Sequence, residues 1–345
     1  MLMIYCAKYS MTVRSELIIG RGDQNPCRKT VRVRRGAAWA IKNIYEEDSH
    51  MAEYTLKNEE LTVTFRTQSA EIRSIRDNKT GQEYMWQADP AFWGWTSPIL
   101  FPLVGPVAKN EFRYGGKTYK MKQHGFARQS EFDLCEMDGA DIGFVLTDNE
   151  ERLALYPFRF RLEVGYRLSG RTLTVLWKVT NPSEDEVLHF QIGAHPAFNT
   201  PPAEGMKKNE CYIGFDTEGP LTVSLLNLGG DPGLTDETME QELQADGTLK
   251  ITDELFDIDT LIVEHDQAHK LSLLTPDKKP YVTVVFDAPL FGVWSPKKDA
   301  PFVCLEPWYG RADRISFEGE IGEREWGNTL EPKGVFEASY DIIFG

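Results

Sequence analysis

Phe158-Arg159-Phe160-Arg161-Leu162-Glu163-Val164-Gly165-Tyr166-Arg167-Leu168 alternates apolar with polar or small residues without a break. Ser169-Gly170-Arg171 then turns the chain. Leu173, Val175, Trp177 and Val179 carry the apolar face on until Asn181-Pro182. Successive side chains of an extended chain point to opposite faces, so a period of two makes one apolar and one polar surface. Bounded by turn residues, this pattern predicts two half-buried antiparallel strands. Leu61, Val63 and Phe65 alternate with Thr62, Thr64 and Arg66 in the same way. Further hairpins are predicted at Asp77–Gly81, at Gly115-Gly116 and at His265–His269, between strands at Leu261-Ile262-Val263 and Leu271-Ser272-Leu273. No stretch of twelve or more residues reads as an amphipathic helix. The prediction is an all-β chain folded as a large antiparallel β-sandwich, with the Gly- and acid-rich stretch 227–259 largely loop.

The composition narrows the function. The chain has 345 residues, 41% of them hydrophobic, which is material for a substantial core. The formal net charge is −15, unevenly spread: residues 1–50 carry +4 and the remainder −19. An acidic body repels phosphate backbones, so no nucleic-acid partner is expected. No apolar run approaches the length of a membrane span, so no membrane partner is expected either. Five cysteines (Cys6, Cys27, Cys135, Cys211 and Cys304) are scattered and odd in number, which points to a reducing, cytoplasmic setting. Residues 1–50 are basic and lack a sustained period; they read as a poorly structured or non-native extension, with a targeting peptide as the functional alternative. Residues 51–345 read as the sandwich domain.

Several chemistries lack their motifs. There is no Gly-rich phosphate loop, no G-x-S-x-G elbow and no metal-ligating cysteine spacing. His265-Asp266-Gln267-Ala268-His269 has aspartate where a zinc-protease helix needs glutamate, and it lies between strands, so it reads as a solvated turn. Three segments set an ionisable group among small or apolar residues: Gln123-His124-Gly125-Phe126-Ala127-Arg128, Gly193-Ala194-His195-Pro196-Ala197-Phe198 and Leu305-Glu306-Pro307-Trp308-Tyr309-Gly310. Glu306 follows Phe302-Val303-Cys304-Leu305 and is expected to end an apolar strand, partly desolvated.

Together these segments resemble the aldose 1-epimerase (galactose mutarotase) superfamily, in particular its LacX-like bacterial branch. The resemblance also takes in Pro98-Ile99-Leu100-Phe101-Pro102 with Gly105, Leu255-Phe256 with Asp259, Phe291-Gly292-Val293-Trp294-Ser295 and Ala312-Asp313, all in the family's order. It implies a galactose-mutarotase-type sandwich that interconverts the anomers of a sugar without metal or cofactor. It places the general base on Glu306 and the general acid on His195. It puts sugar-binding roles on His124 and Asp259, a pocket arginine on Arg128 and a stacking platform on Trp294. One departure stands out: Pro106 follows Gly105 where many members carry arginine, and Lys109 and Arg128 are the cations available to replace it.

The implied chemistry suits these residues. Anomer exchange needs the C1 hydroxyl to lose a proton while the ring oxygen gains one. A carboxylate and an imidazole of pKa near ~6.5 serve that exchange near neutrality. At roughly 10²–10⁴-fold each, the pair lowers the barrier by about 5–11 kcal/mol. The expected partner is a small sugar; a monomer and a homodimer both fit. Two alternatives stand beside a neutral-sugar epimerase: a hexose-6-phosphate 1-epimerase, for which Arg159, Arg161 and Arg167 are candidate cations, and a carbohydrate-binding protein without turnover.

Overall fold

The computed structural model describes residues 52–296 and 298–345. The reading of residues 1–50 lies outside them. Among the described residues, two large antiparallel sheets, of nine and eight strands, dominate the fold. The only α-helix among them is Glu150–Leu155, capped by the Asn149 side chain. The predicted all-β sandwich is therefore the observed class.

The nine-stranded sheet has Arg161–Ser169, Thr172–Thr180 and Val335–Phe344 near its middle. Gly170 takes a positive φ at the tip of the predicted hairpin, and Val164 pairs with Trp177 in its register. Leu162, Val164, Tyr166, Leu168, Leu173, Val175, Trp177 and Val179 are all buried, so the whole apolar set faces one way. They join one continuous core that also takes Leu61, Val63 and Phe65 from a separate three-stranded sheet. The opposite face is charged and solvated.

The eight-stranded sheet runs Leu234–Gln241, Leu221–Leu226, Leu261–Val263, Leu290–Trp294, Phe302–Tyr309, Ile192–Ala194 and Ile99–Leu100, with Ala197–Asn199 added on Phe302–Tyr309. Its odd-numbered central residues, such as Phe291, Val293, Val303 and Leu305, belong to the shared core. The even-numbered ones, including Leu290, Trp294, Cys304 and Trp308, pack into two smaller clusters on the other face. Phe302–Tyr309 is thus covered on both sides, and only Tyr309 at its end is partly exposed.

The turns at Asp77–Gly81 and Gly115-Gly116 form as predicted, the second as a two-glycine hairpin between Glu111–Tyr114 and Lys117–Lys120. His265–His269 does not make a hairpin. Leu261–Val263 pairs within the eight-stranded sheet and Lys270–Leu274 within the nine-stranded one, so the segment carries the chain from one sheet to the other. Turn residues mark where a strand ends; they do not say which sheet the next strand joins. The stretch 227–259 also holds more strand than expected, at Leu234–Gln241 and Thr248–Lys250.

Candidate functional site

Glu306 does not end its strand. It sits in the middle of Phe302–Tyr309 with its side chain 1% exposed. The neighbouring register explains what faces it. Gly193 pairs with Trp308 and, after a short irregularity, Ala197 pairs with Cys304. His195 lies between, across from Glu306. The His195 Nδ1 is 3.3 Å from Glu306 Oε1. The contact lacks hydrogen-bond geometry, so His195 Nδ1 and both Glu306 oxygens are buried without a hydrogen-bond partner among the described residues.

Burial dominates the electrostatics of this pair. Loss of water pushes the Glu306 carboxyl well above its usual range; the Asp259 charge adds to the rise, and the polar edge of Trp308 offsets the least of the three. The same burial brings the His195 imidazole down to about 3, helped by the Arg128 charge. Burial thus disfavours the charged form of both partners.

His124 is buried as well, its ring 5.6 Å from that of His195 and nearly perpendicular to it. It has a positive φ of 66°, and Gly125 follows at 69°. A Cβ on Gly125 would lie 2.3 Å from the Phe101 carbonyl oxygen, so this turn needs glycine. The Gly105 N–H donates to His124 Nδ1 at 3.1 Å. That bond leaves the proton on Nε2; the Gln123 side-chain nitrogen 3.1 Å away is itself a donor, so the amide accepts that proton only with its oxygen turned toward the ring. Burial, with the His195 and Arg128 charges, holds His124 well below its ordinary pKa and keeps it neutral.

Aromatic rings surround the His195 imidazole. Trp294 is half-buried and meets His195 edge-on at 5.3 Å. Trp93 stacks on His195 at 4.6 Å and 29°. Trp86, Phe92 and Phe302 continue the cluster. Trp93 escaped the sequence reading, although three of the chain's eight tryptophans, Trp86, Trp93 and Trp95, crowd into ten residues. The segment is fastened across the sheet: Trp86 N–H donates to the Ala197 carbonyl, Ala197 N–H to that of Thr96, and the buried Glu71 carboxylate accepts from the backbone of Thr96 and Ser97.

Arg128 is half-buried with its guanidinium 5.9 Å over the Trp95 ring. Burial lowers its pKa, and its charge in turn depresses both histidines. It is thus the cation that acts on this pair. Lys109 is exposed, in a surface pocket with Glu111 and Phe317. Asp259 is exposed with φ 70°, and its charge reaches Glu306. Arg159, Arg161 and Arg167 are not at this pair. They lie along the nine-stranded sheet, in ion pairs with Asp148, Glu163 and Asp141.

Trp308 lies flat across the sheet between two glycines. A Cβ on Gly193 or Gly292 would stand 2.6 or 2.5 Å from its ring. The indole N–H donates to the Ala194 carbonyl at 3.2 Å, tying Glu306's strand to the His195 segment.

The β-sandwich thus sets a buried carboxyl beside an imidazole among tryptophan rings. Comparison with known proteins identifies the family. A family model described as aldose 1-epimerase matches residues 52–325. The chromosomal LacX protein of Lactococcus lactis is 32% identical over 294 residues, which cover 83% of this chain and 97% of that protein. A galactose mutarotase related enzyme from Lactobacillus acidophilus superposes with a TM-score of 0.79 at 35% identity, covering 85% of this chain and 97% of that one. A galactose mutarotase-like protein from Lactobacillus casei gives 0.77 at 28%, covering 85% and 100%. The chain belongs to the aldose 1-epimerase family, in its LacX-like branch.

Proposed function

We propose that the protein is a mutarotase acting on a neutral hexose or related sugar, with Glu306 as general base and His195 as general acid. The observation that carries this reading is the buried, unpaired contact of 3.3 Å between the two side chains. The C1 hydroxyl and the ring oxygen are bonded to the same carbon, so a base and an acid a few ångströms apart reach both. Glu306 takes the hydroxyl proton as His195 gives one to the ring oxygen. The C1–O5 bond breaks, the aldehyde forms, C1 turns about C1–C2, and closure on the other face returns both protons.

The proton count fits. Ring opening starts from a carboxylate and an imidazolium. It ends with a carboxylic acid and a neutral imidazole, the forms that burial favours. Both forms hold one proton, so a cycle needs no net exchange with solvent. The depressed His195 keeps that proton mobile, and the raised Glu306 makes a strong base once ionised. His124 offers its Nε2 proton to a sugar hydroxyl, Asp259 accepts from another at the mouth, and Trp93 and Trp294 pack against the ring's apolar face. Arg128 biases the imidazoles toward neutrality.

A neutral sugar is the better match because Arg159, Arg161 and Arg167 are ion-paired on the other sheet. Exchange NMR of anomeric protons tests the proposal on glucose, galactose and glucose 6-phosphate, with wild type and Glu306→Gln. We expect accelerated exchange of a neutral sugar by wild type and a loss of about 10²–10⁴-fold in the variant. Preference for glucose 6-phosphate would replace the substrate class. Line broadening without acceleration would replace the enzyme with a sugar-binding protein.

A further inference from the structure

Beside the His195–Glu306 pair stands a third donor, Cys304, that proton transfer does not use. Cys304 lies two residues before Glu306 on the same strand, so both side chains leave the same face. One ligand atom from each of His195, Cys304 and Glu306 lies within 4.8 Å of the other two. All three residues are buried. His195 Nδ1 and both carboxylate oxygens have no hydrogen-bond partner among the described residues, and buried polar atoms left in that state ask for an occupant. An imidazole, a thiol and a carboxyl are the donor types that zinc takes, and three protein ligands with one open position is a common zinc arrangement. Bonds of about 2.0–2.3 Å bring tetrahedral donors roughly 3.5 Å apart, so donors already within 4.8 Å have at most about an ångström to close.

We propose that His195, Cys304 and Glu306 form an inhibitory site for a thiophilic divalent cation such as Zn²⁺. The binding itself stands on the donor geometry; that it inhibits rests on the mutarotase reading above. The cation replaces the Cys304 thiol proton, and any proton on the Glu306 carboxyl, which leave to solvent; nothing is oxidised or reduced. While bound, it occupies the carboxylate oxygens and the imidazole nitrogen that exchange protons with the sugar. The ion is thus a competitor for the site and not a cofactor. Cys304 supplies the thiophilic selectivity, since a carboxylate–imidazole pair alone does not favour zinc over harder ions.

The full chain, stripped with chelator, is titrated with Co²⁺ as a spectroscopic stand-in for zinc. We expect one equivalent to bind with a thiolate-to-cobalt charge-transfer band. Cys304→Ala, and Cys304→Ser as a second variant, should lose that band while keeping their melting temperature and anomer exchange. Zn²⁺ that slows wild-type exchange should leave these variants unaffected. Loss of a direct ligand should weaken binding by at least the about 10–100-fold seen when the partner behind a ligand is removed. Glu306→Gln keeps the thiol and should retain the band only at higher Co²⁺. Absence of the band in wild type, or a band unchanged in both Cys304 variants, overturns the site. A cobalt band lost in Cys304→Ala, in a chain that accelerates no sugar, would uphold the metal site and remove the epimerase reading. Exchange without a band would do the reverse.

Discussion

The two sheets put charged residues to opposite uses. On the nine-stranded sheet, polar residues alternate outward and find partners at the surface: Arg167 with Asp141 at 2.8 Å, Arg161 with Glu163 at 2.9 Å and Lys178 with Glu337 at 3.1 Å. On the eight-stranded sheet the same alternation carries Cys304, Glu306 and Trp308 onto a buried face, where Cys304 packs with Trp86, Phe92 and Trp93 and Trp308 with Leu100, Leu290 and Ala312. A carboxylate in water needs no purpose. One stripped of water, raised in pKa and left without a hydrogen-bond partner beside an imidazole is held in a costly state, unlike the buried Glu71, which accepts from the backbone of Thr96 and Ser97.

The contrast is sharpest in paired substitutions. Glu306→Gln should abolish nearly all rate enhancement, whereas Glu163→Gln on the solvated face should leave anomer exchange unchanged. Equal effects in the two assays would end the distinction. The pH dependence should be broad rather than narrow. With His195 lowered to about 3 and Glu306 raised, the one-proton pair persists over the whole interval between them. The sign follows from the proton count: a second proton removes the base below the His195 value, and loss of the last proton removes the acid above that of Glu306. We expect kcat/KM to hold through the usual carboxylate range, down toward the His195 value of about 3, with its upper limb displaced above that range. A bell with limbs at the ordinary carboxylate and imidazole values would show two independent groups in a wet site.

Packing should divide the sheets as well. Gly292→Ala puts a Cβ 2.5 Å from the Trp308 ring, which is clamped from the far side by Gly193. Overpacking of this kind costs about 1–3 kcal/mol, to be read as a lower denaturant midpoint at constant m-value. An unchanged midpoint would mean that the indole can move aside. Trp93→Ala removes the ring stacked on His195 and should raise KM by about 2–10-fold, with a smaller effect on stability than Gly292→Ala. If kcat alone falls, Trp93 orients the imidazole rather than holding the sugar. Arg167→Ala, at the solvated extreme, should shift neither melting temperature nor rate; a clear drop in melting temperature would show that the outer ion pairs are structural.

The alternation of 158–179 by itself determined the sheet class, because a period of two has one physical solution when one face is buried. The predicted hairpin at Ser169-Gly170-Arg171 lies where the sequence places it. The segments around His124, His195 and Glu306 could be picked out as well, since ionisable groups among glycines and apolar residues are conspicuous in any chain. What the sequence could not show was adjacency. His195 meets Glu306 because two short strands share one partner and keep its register across a break. His265–His269 failed as a hairpin because local turn signals do not say which sheet receives the next strand. Glu306 lies in mid-strand because Leu290–Trp294 on one side and the segments around His195 on the other pair with its strand, and Trp93 reaches the site from a loop distant in sequence. Local propensity and periodicity are properties of neighbouring residues and survive in a list of letters. Desolvation, raised and lowered pKa values, and the meeting of His195, Cys304 and Glu306 arise only from contacts between distant segments, and the tertiary structure alone decided them.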